Sequence, residues 1–341
     1  MGSLPVTRAG LKTKWPTVVD LSGSAFPFRL EGEIGDVIVY GDAPPEIDGT
    51  FYRMSLGRFV LKKDNGRVDF KIKYVETERY KLERLVHKSF INVIYWANRL
   101  LVLEEAANPY EVRAKAFTAH LKVDPFSKEL VVFGHYGKKT EELWIKAPWC
   151  TMVYDCGITE NWLILMLWPF EASIERMKAG GYYWAYTYDR PACFIIVPRR
   201  KGPVAGWKEG EYRVYNWHNC MNIHTAGAWE EKDGKVYLEA TRVHGNAFPF
   251  FPPADGKTQA GEAKGDFVRW ELDPSRPSGS RLPHPQVTLE LPSEFPRIHE
   301  RFTSKKYKIV GFCKEPTFIP RNGGAPEGDG WIMSLIEDRR N

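Results

Sequence analysis

The sequence predicts an all-β protein, and three observations carry the prediction. Short segments of strand composition recur along most of the chain, usually bounded by Gly, Pro, Asn or Asp. Neighbouring segments are joined by turn chemistry, as in KDNGRVDF and EEKDGKVYL, which marks antiparallel hairpins. Helical periodicity is confined to two stretches. Many short strands with few helices fit a propeller, a barrel or a sandwich, and no repeat of fixed period singles out the first.

In chain order the strand candidates are GDVIVYG (35–41), RVDFKIKYV (67–75), NVIYWANRLLVLE (92–104), ELVVFGHY (129–136) and NWLILML (161–167). ACFIIVP (192–198), KVYLEATRV (235–243), QVTLELP (286–292), KYKIVGF (306–312) and WIMSLIE (331–337) complete the set. Several alternate polar and apolar residues, the period of a half-buried strand. The first helix candidate is TERYKLERLVHKSF (77–90), with Leu82, Leu85 and Val86 on one face. The second is EASIERMKAGG (171–181), stopped by its glycines. PPADGKTQAGEAKGD (252–266) reads as a surface loop. No composition shift marks a boundary, so a single domain over residues 1–341 is expected, with residues 1–14 disordered.

Composition narrows the function classes. A chain of 341 residues can bury a large core. Its longest apolar run, WLILMLWPF (162–170), is too short to span a bilayer and reads as a buried strand. The N-terminus lacks the apolar core of a secretion signal, and Val6 stands where a myristoylation signal carries Ser or Thr. The five cysteines form no CxxC, as expected of a reduced, cytoplasmic protein. The net charge of +5 is spread among acids, and the one basic cluster, PRRK (198–201), is short, so nucleic acid is not an expected partner. Twelve tryptophans fit either a broad apolar core or an aromatic-lined ligand tunnel.

The chemistry-bearing candidates are histidines beside apolar strands: His120 in FTAHLKVDP and His224 in CMNIHTAGAWEE. Imidazoles contributed one at a time from separate strands can build a metal site. The segment APWCTMVYDCGITENW between them has the same character but carries Tyr154 where an imidazole would complete the set. His218, six residues before His224, would share its face on a regular strand, although a bend between them is an equal alternative. His135, His244, His284 and His299 lie in turn-like or polar settings and are expected to face solvent. Glu105, Glu294 and Glu315 recur at strand ends, either in surface salt bridges or as acceptors for the free N–H of metal-bound imidazoles. No GxSxG, GxGxxG, phosphate-binding loop or HExxH is present.

FTAHLKVDP, KAPWCTMVYDCGITENW, ERMKAGG, HTAGAWEEKDGKVYLEATR, FPFFP, EFPRIHERF and EPTFIPRNGGAPEGDGWIMSLIEDRR together resemble the carotenoid cleavage oxygenase family, and within it the lignostilbene dioxygenase-like branch. SGSAFPFRLEGEIGDVIVYGDAPPEIDGTFYRM is similar to the family's N-terminal segment. The resemblance implies a seven-bladed β-propeller with a non-haem Fe(II) on its axis, held by four histidines with glutamates behind three of them. It implies an apolar conjugated substrate, a stilbene or an apocarotenoid, whose carbon–carbon double bond is cleaved with O2 into two carbonyl products. His120 matches the first iron ligand and His224 the third; Glu105, Glu294 and Glu315 match the carboxylates behind the ligands.

The chain also departs from the pattern. Tyr154 in MVYD stands at the second-ligand position, where relatives read MxHD. The fourth histidine falls beyond GWIMSLIEDRRN, so with the chain ending at Asn341 that ligand is expected to be absent and the propeller incomplete at its C-terminus. Relatives carry extra residues after GTFYR, after the first helix and after FGHY. Glu104 replaces the Lys that binds the substrate phenol in stilbene-cleaving relatives. Two readings follow: an iron dioxygenase, or a degenerate or truncated member that at most binds an apolar ligand. Both leave peripheral membrane contact open.

Overall fold

The computed structural model describes residues 32–34, 44, 50–54, 58–64, 67–73, 85, 99–106, 120, 122–135, 143–200, 204–248, 253, 264–290, 294–312 and 317–333. The chain divides into two compact units, Met1–Val75 and Glu76–Asn341. The described residues of both are strands and turns with very little helix.

The first unit holds one antiparallel sheet of β1 (Gly32–Ile34), β2 (Thr50–Met54), β3 (Arg58–Asp64) and β4 (Arg67–Lys73), in the order β1-β4-β3-β2. Asp64 pairs with Arg67, so Asn-Gly at 65–66 joins the hairpin, as the dipeptide predicts. The strand expected at 35–41 lies outside the described residues.

The second unit begins with β5 (Arg99–Ala106), β6 (Lys122–Val123), β7 (Glu129–His135) and β8 (Leu143–Lys146), in the order β6-β7-β5-β8. Next come β9 (Val153–Ile158), β10 (Trp162–Leu167) and the pair β11 (Phe170–Ala172) and β12 (Trp184–Tyr186), which flanks the short helix α1 (Ile174–Lys178). With β13 (Ala192–Pro198) and β14 (Arg213–Trp217), β9 and β10 form a sheet ordered β14-β13-β10-β9. A third sheet runs sequentially through β15 (Met221–Glu230), β16 (Val236–His244), β17 (Lys264–Leu272) and β18 (Gln286–Leu289). β19 (Pro296–Arg297) pairs with β20 (Gly311–Phe312), and β21 (Thr317–Pro320) with β22 (Gly330–Met333).

Strand periodicity explains how these sheets stack. Successive side chains leave a strand on opposite faces, and all six residues of β10 are buried. Trp162, Ile164 and Met166 join Phe194, Trp270 and Leu238 in one cluster, against the third sheet. Leu163, Leu165 and Leu167 join Ile195, Val131 and Ile145 in another, against the sheet that contains β7 and β8. The middle sheet is therefore buried on both faces, which is why WLILML and ACFIIV read as continuous apolar runs rather than alternations. Beyond the third sheet, Ala226 and Phe267 pack on Ile298, Tyr307 and Phe312.

α1 forms inside the expected stretch 171–181 but is shorter, because Glu171 and Ala172 pair with β12: the Ser173 hydroxyl accepts the Arg176 N–H at 3.1 Å, and Gly180 leaves the helix at φ 86°. Of the other helix candidate only Leu85 is described; it is helical and 76 % exposed. KYKIVGF shrinks to Gly311–Phe312, because the N–H groups of Lys308 and Ile309 both donate to Glu327 Oε1 at 2.6 Å and leave no ladder there. The polar stretch 252–266 ends inside β17, where Asp266 pairs with Arg242 across the ladder and Arg242 Nε donates to it at 2.9 Å. No helix among the described residues is long and apolar enough to cross a membrane.

Of the basic cluster at 198–201, Arg199 and Arg200 serve the packing of sheets. Arg199 Nη1 lies 3.0 Å from Asp124 Oδ2 with both side chains only 1 % exposed, and Arg200 bridges Asp124 at 3.1 Å and Glu129 at 2.7 Å. These contacts tie the end of β13 to the turn between β6 and β7. Removing one partner of a buried ion pair strands the other charge. Arg199→Met is expected to cost about 3 kcal/mol in urea unfolding, the low end for a broken buried pair because Arg200 still reaches Asp124.

Candidate metal centre

Three residues singled out by sequence come together at strand edges of the second unit. β6, β9 and β15 each lie at the edge of a different sheet. His120 lies two residues before β6, Tyr154 is the second residue of β9, and His224 is in the interior of β15 rather than at a strand end. Both strand residues sit at β-bulges. Val153 pairs with Leu167 and Cys156 with Leu165, so Tyr154 and Asp155 together oppose Met166. Asn222 pairs with Arg242 and Thr225 with Ala240, so Ile223 and His224 together oppose Thr241. A bulge releases a residue from the ladder and re-aims its side chain. The Thr241 hydroxyl accepts the released His224 N–H at 3.1 Å.

The three rings form a compact triangle. Ring centroids are 4.7 Å apart for His120 and Tyr154, 4.9 Å for His120 and His224, and 5.3 Å for Tyr154 and His224. Tyr154 stacks on Trp168 at 5.1 Å, and Trp168 meets Phe248 at 5.5 Å. Trp168 is fully buried, with its indole N–H donating to the Asn222 carbonyl at 2.5 Å. One side of the triangle is thus an aromatic wall.

His224 is prepared as a ligand. Its Nδ1 lies 2.5 Å from Glu294 Oε2, and a carboxylate only accepts, so Nδ1 carries the proton. The lone pair is then on Nε2, which is buried and has no hydrogen-bond partner. A neutral imidazole fixed in this tautomer by a carboxylate suits Fe(II) and related cations. Phe295 completes the arrangement: its N–H donates to Glu294 Oε2 at 3.0 Å and its ring lies 4.4 Å from that of His224. It does so at φ 54°, a left-handed backbone that is unfavourable for a bulky residue and is held only where surroundings demand it.

Beneath the rings lies Asp155, 2 % exposed. Burial works to raise its pKa, but the Lys122 ammonium at 3.0 Å, both imidazoles and the Thr225 N–H outweigh it and bring the pKa to about 2. Local pattern does not single out Asp155, Lys122 or Thr225, although Asp155 and Thr225 directly follow Tyr154 and His224 and Lys122 lies two residues after His120.

The remaining candidates fall elsewhere. Glu105 belongs to β5, and Glu315 lies outside the described residues. His218 is in the turn after β14, with Arg281 Nη2 2.8 Å from its Nδ1, and lines an open cleft of about 320 Å³ with Trp217 and Asn219. The six-residue spacing to His224 carries no common face, because turn and bulge intervene. His244 and His284 are exposed as expected. His299 is not: it caps a 3-10 turn, its Nδ1 accepts the Arg301 N–H at 3.2 Å, and its Nε2 is buried. Among the described residues no third His, Cys, Asp or Glu joins the two imidazoles as a metal ligand.

The family profile described as retinal pigment epithelial membrane protein matches residues 55–311, about three quarters of the chain. The chain belongs to this family, the carotenoid oxygenases. A resveratrol cleavage oxygenase of Botryotinia fuckeliana is 44 % identical, over 96 % of this chain and 80 % of the relative. A carotenoid cleavage oxygenase of Neurospora crassa is 28 % identical over 92 % and 82 %. The lignostilbene dioxygenase of Pseudomonas brassicacearum shares the fold at a TM-score of 0.70 and 24 % identity, covering 93 % of this chain and 89 % of that one. A Synechocystis apocarotenoid oxygenase does so at 0.61 and 19 %, over 89 % and 87 %.

The match to the Botryotinia protein runs over 447 aligned positions against 341 residues in this chain, so at least 106 positions fall opposite gaps in this chain. The three rings nevertheless meet.

Asp155 makes the unit acid-sensitive. Its folded pKa is depressed, so its stabilisation is complete above its ordinary pKa of 3.8 and is lost as pH falls towards about 2. Acid titration of the fold by circular dichroism is expected to show a loss in that window that is smaller in Asp155→Asn, the remainder coming from Asp124 and other carboxylates held below their ordinary range.

Proposed function

We propose that this member of the family is a non-haem iron dioxygenase that cleaves the central double bond of a stilbene-class substrate into two aldehydes. The observation that carries the reading is the buried, unpartnered Nε2 of His224, fixed by Glu294 and facing a cluster that includes His120. The substrate class comes from the 44 % identity to a protein named resveratrol cleavage oxygenase. His120 and His224 would hold the Fe(II), which supplies activation of O2 at open coordination positions. Glu294 keeps His224 in the ligating tautomer by accepting the hydrogen bond that its Nδ1–H donates. Tyr154 and Phe248, partly buried and packed on Trp168, offer apolar aromatic surface against which a conjugated substrate can lie while water is kept away. We further propose that the stacked sheets belong to the seven-bladed propeller that the resemblance implies, and that Glu105 and Glu315 stand behind the other imidazoles.

A second reading is favoured by Tyr154 and by the 106 or more missing positions: a degenerate member that binds an apolar ligand without turnover. A phenol must ionise to bind a metal well and then favours ferric over ferrous iron. Metal analysis of protein purified without added iron, followed by O2 uptake with resveratrol and with an apocarotenoid, separates the readings. Near-stoichiometric iron and two aldehydes from resveratrol are expected; no iron even after reconstitution sinks the dioxygenase. Glu294→Gln should weaken iron binding about 10–100-fold, and His224→Ala by more. Tyr154→His, which restores the relatives' pattern, should tighten it.

A further inference from the structure

Each ring of the triangle has a polar neighbour just downstream: Lys122 after His120, Asp155 after Tyr154, Thr225 after His224. Lys122 and Thr225 both bond to Asp155. Lys122 Nζ lies 3.0 Å from Asp155 Oδ1. The N–H of Thr225 donates to Asp155 Oδ2 at 2.7 Å, and its hydroxyl is shared between that oxygen at 2.9 Å and the Cys156 carbonyl at 3.0 Å. The Cys156 N–H donates to Oδ1 at 2.7 Å. A carboxylate, with about four acceptor sites and no donor, is the side chain that can take all of these at once. Burial of Asp155 to 2 % and Lys122 to 14 % keeps water from competing.

The need for such a clasp follows from the bulges. Where two residues face one, the backbone ladder no longer sets a side chain's direction, and both Tyr154 and His224 are in that position. His120 precedes a strand of only two residues. We infer that Asp155 is a positioning residue that joins three sheet edges at the level of the rings and so sets the spacing of His120, Tyr154 and His224. The inference builds on the proposed metal site, but its geometry can be read without metal.

Asp155→Asn keeps the shape but turns one acceptor into a donor facing Lys122 and the Cys156 N–H. Metal-free protein labelled in His and Tyr is compared by nuclear Overhauser contacts between the ring protons of the three residues. The parent should show contacts from Tyr154 to both imidazoles; Asp155→Asn should melt cooperatively yet lose them, and should bind Co(II) about 10–100-fold more weakly. A variant that is merely less stable, with every ring contact kept, overturns the inference. If the parent binds no Co(II), the metal reading fails and the ring contacts alone decide the clasp. Should Asp155→Asn not fold, Thr225→Val serves, because it loses only the hydroxyl. Weakened contacts between Tyr154 and His224 then support the clasp, and unchanged ones overturn it.

Discussion

A single buried carboxylate, Asp155, touches residues from three sheet edges that share no ladder. Lys122 reaches it from β6 and Thr225 from β15, while Asp155 itself belongs to β9. Its low pKa records the balance: burial opposes the charge, and the ammonium, the imidazoles and the N–H donors together overcome it. Such a group is costly to bury and specific once satisfied, so it favours one mutual arrangement of the edges over the many that apolar packing would tolerate.

The rest of the second unit supplies the rigid background that this contact requires. Sheets stack through interdigitated apolar faces, with Phe194, Trp270 and Ile195 among the fully buried residues. The outward ends are tied by polar links such as Arg199 with Asp124 and Arg200 with Glu129. With the sheets held, their edges can depart from regular pairing, and bulges appear at Tyr154 and His224. Departure from the ladder is what frees those side chains to leave their own sheets and meet.

Much of the fold was legible before the structure. The hairpins at 64–67 and 230–236 follow from Asn-Gly and Asp-Gly turns, and the six-residue run of β10 from apolar composition alone. A helix within 171–181 is expected from its closing glycines, and the structure narrows it to 174–178 behind the Ser173 cap. What failed did so for polar reasons beyond local pattern: Glu327 takes the N–H groups of Lys308 and Ile309, and His299 turns inward to cap Arg301. His120, Tyr154, His224 and Glu294 were visible as types in context. Asp155, Lys122, Phe295 and Trp168 were not, because their importance lies in what they touch.

The sequence by itself determined the strand-rich class, the resemblance to carotenoid oxygenases and the residue types available for a metal. These depend on composition, turn chemistry and ordered motifs, all of which are local. Only the tertiary structure decided that the three rings meet, that Glu294 rather than a nearer carboxylate sets the tautomer of His224, and that Asp155 lies at their base. The physical reason is that strand pairing conveys direction only along a regular ladder. At a bulged edge, direction is set by long-range contacts across 70 residues of chain, as from Asp155 to Thr225 and from His224 to Glu294, which no local pattern encodes.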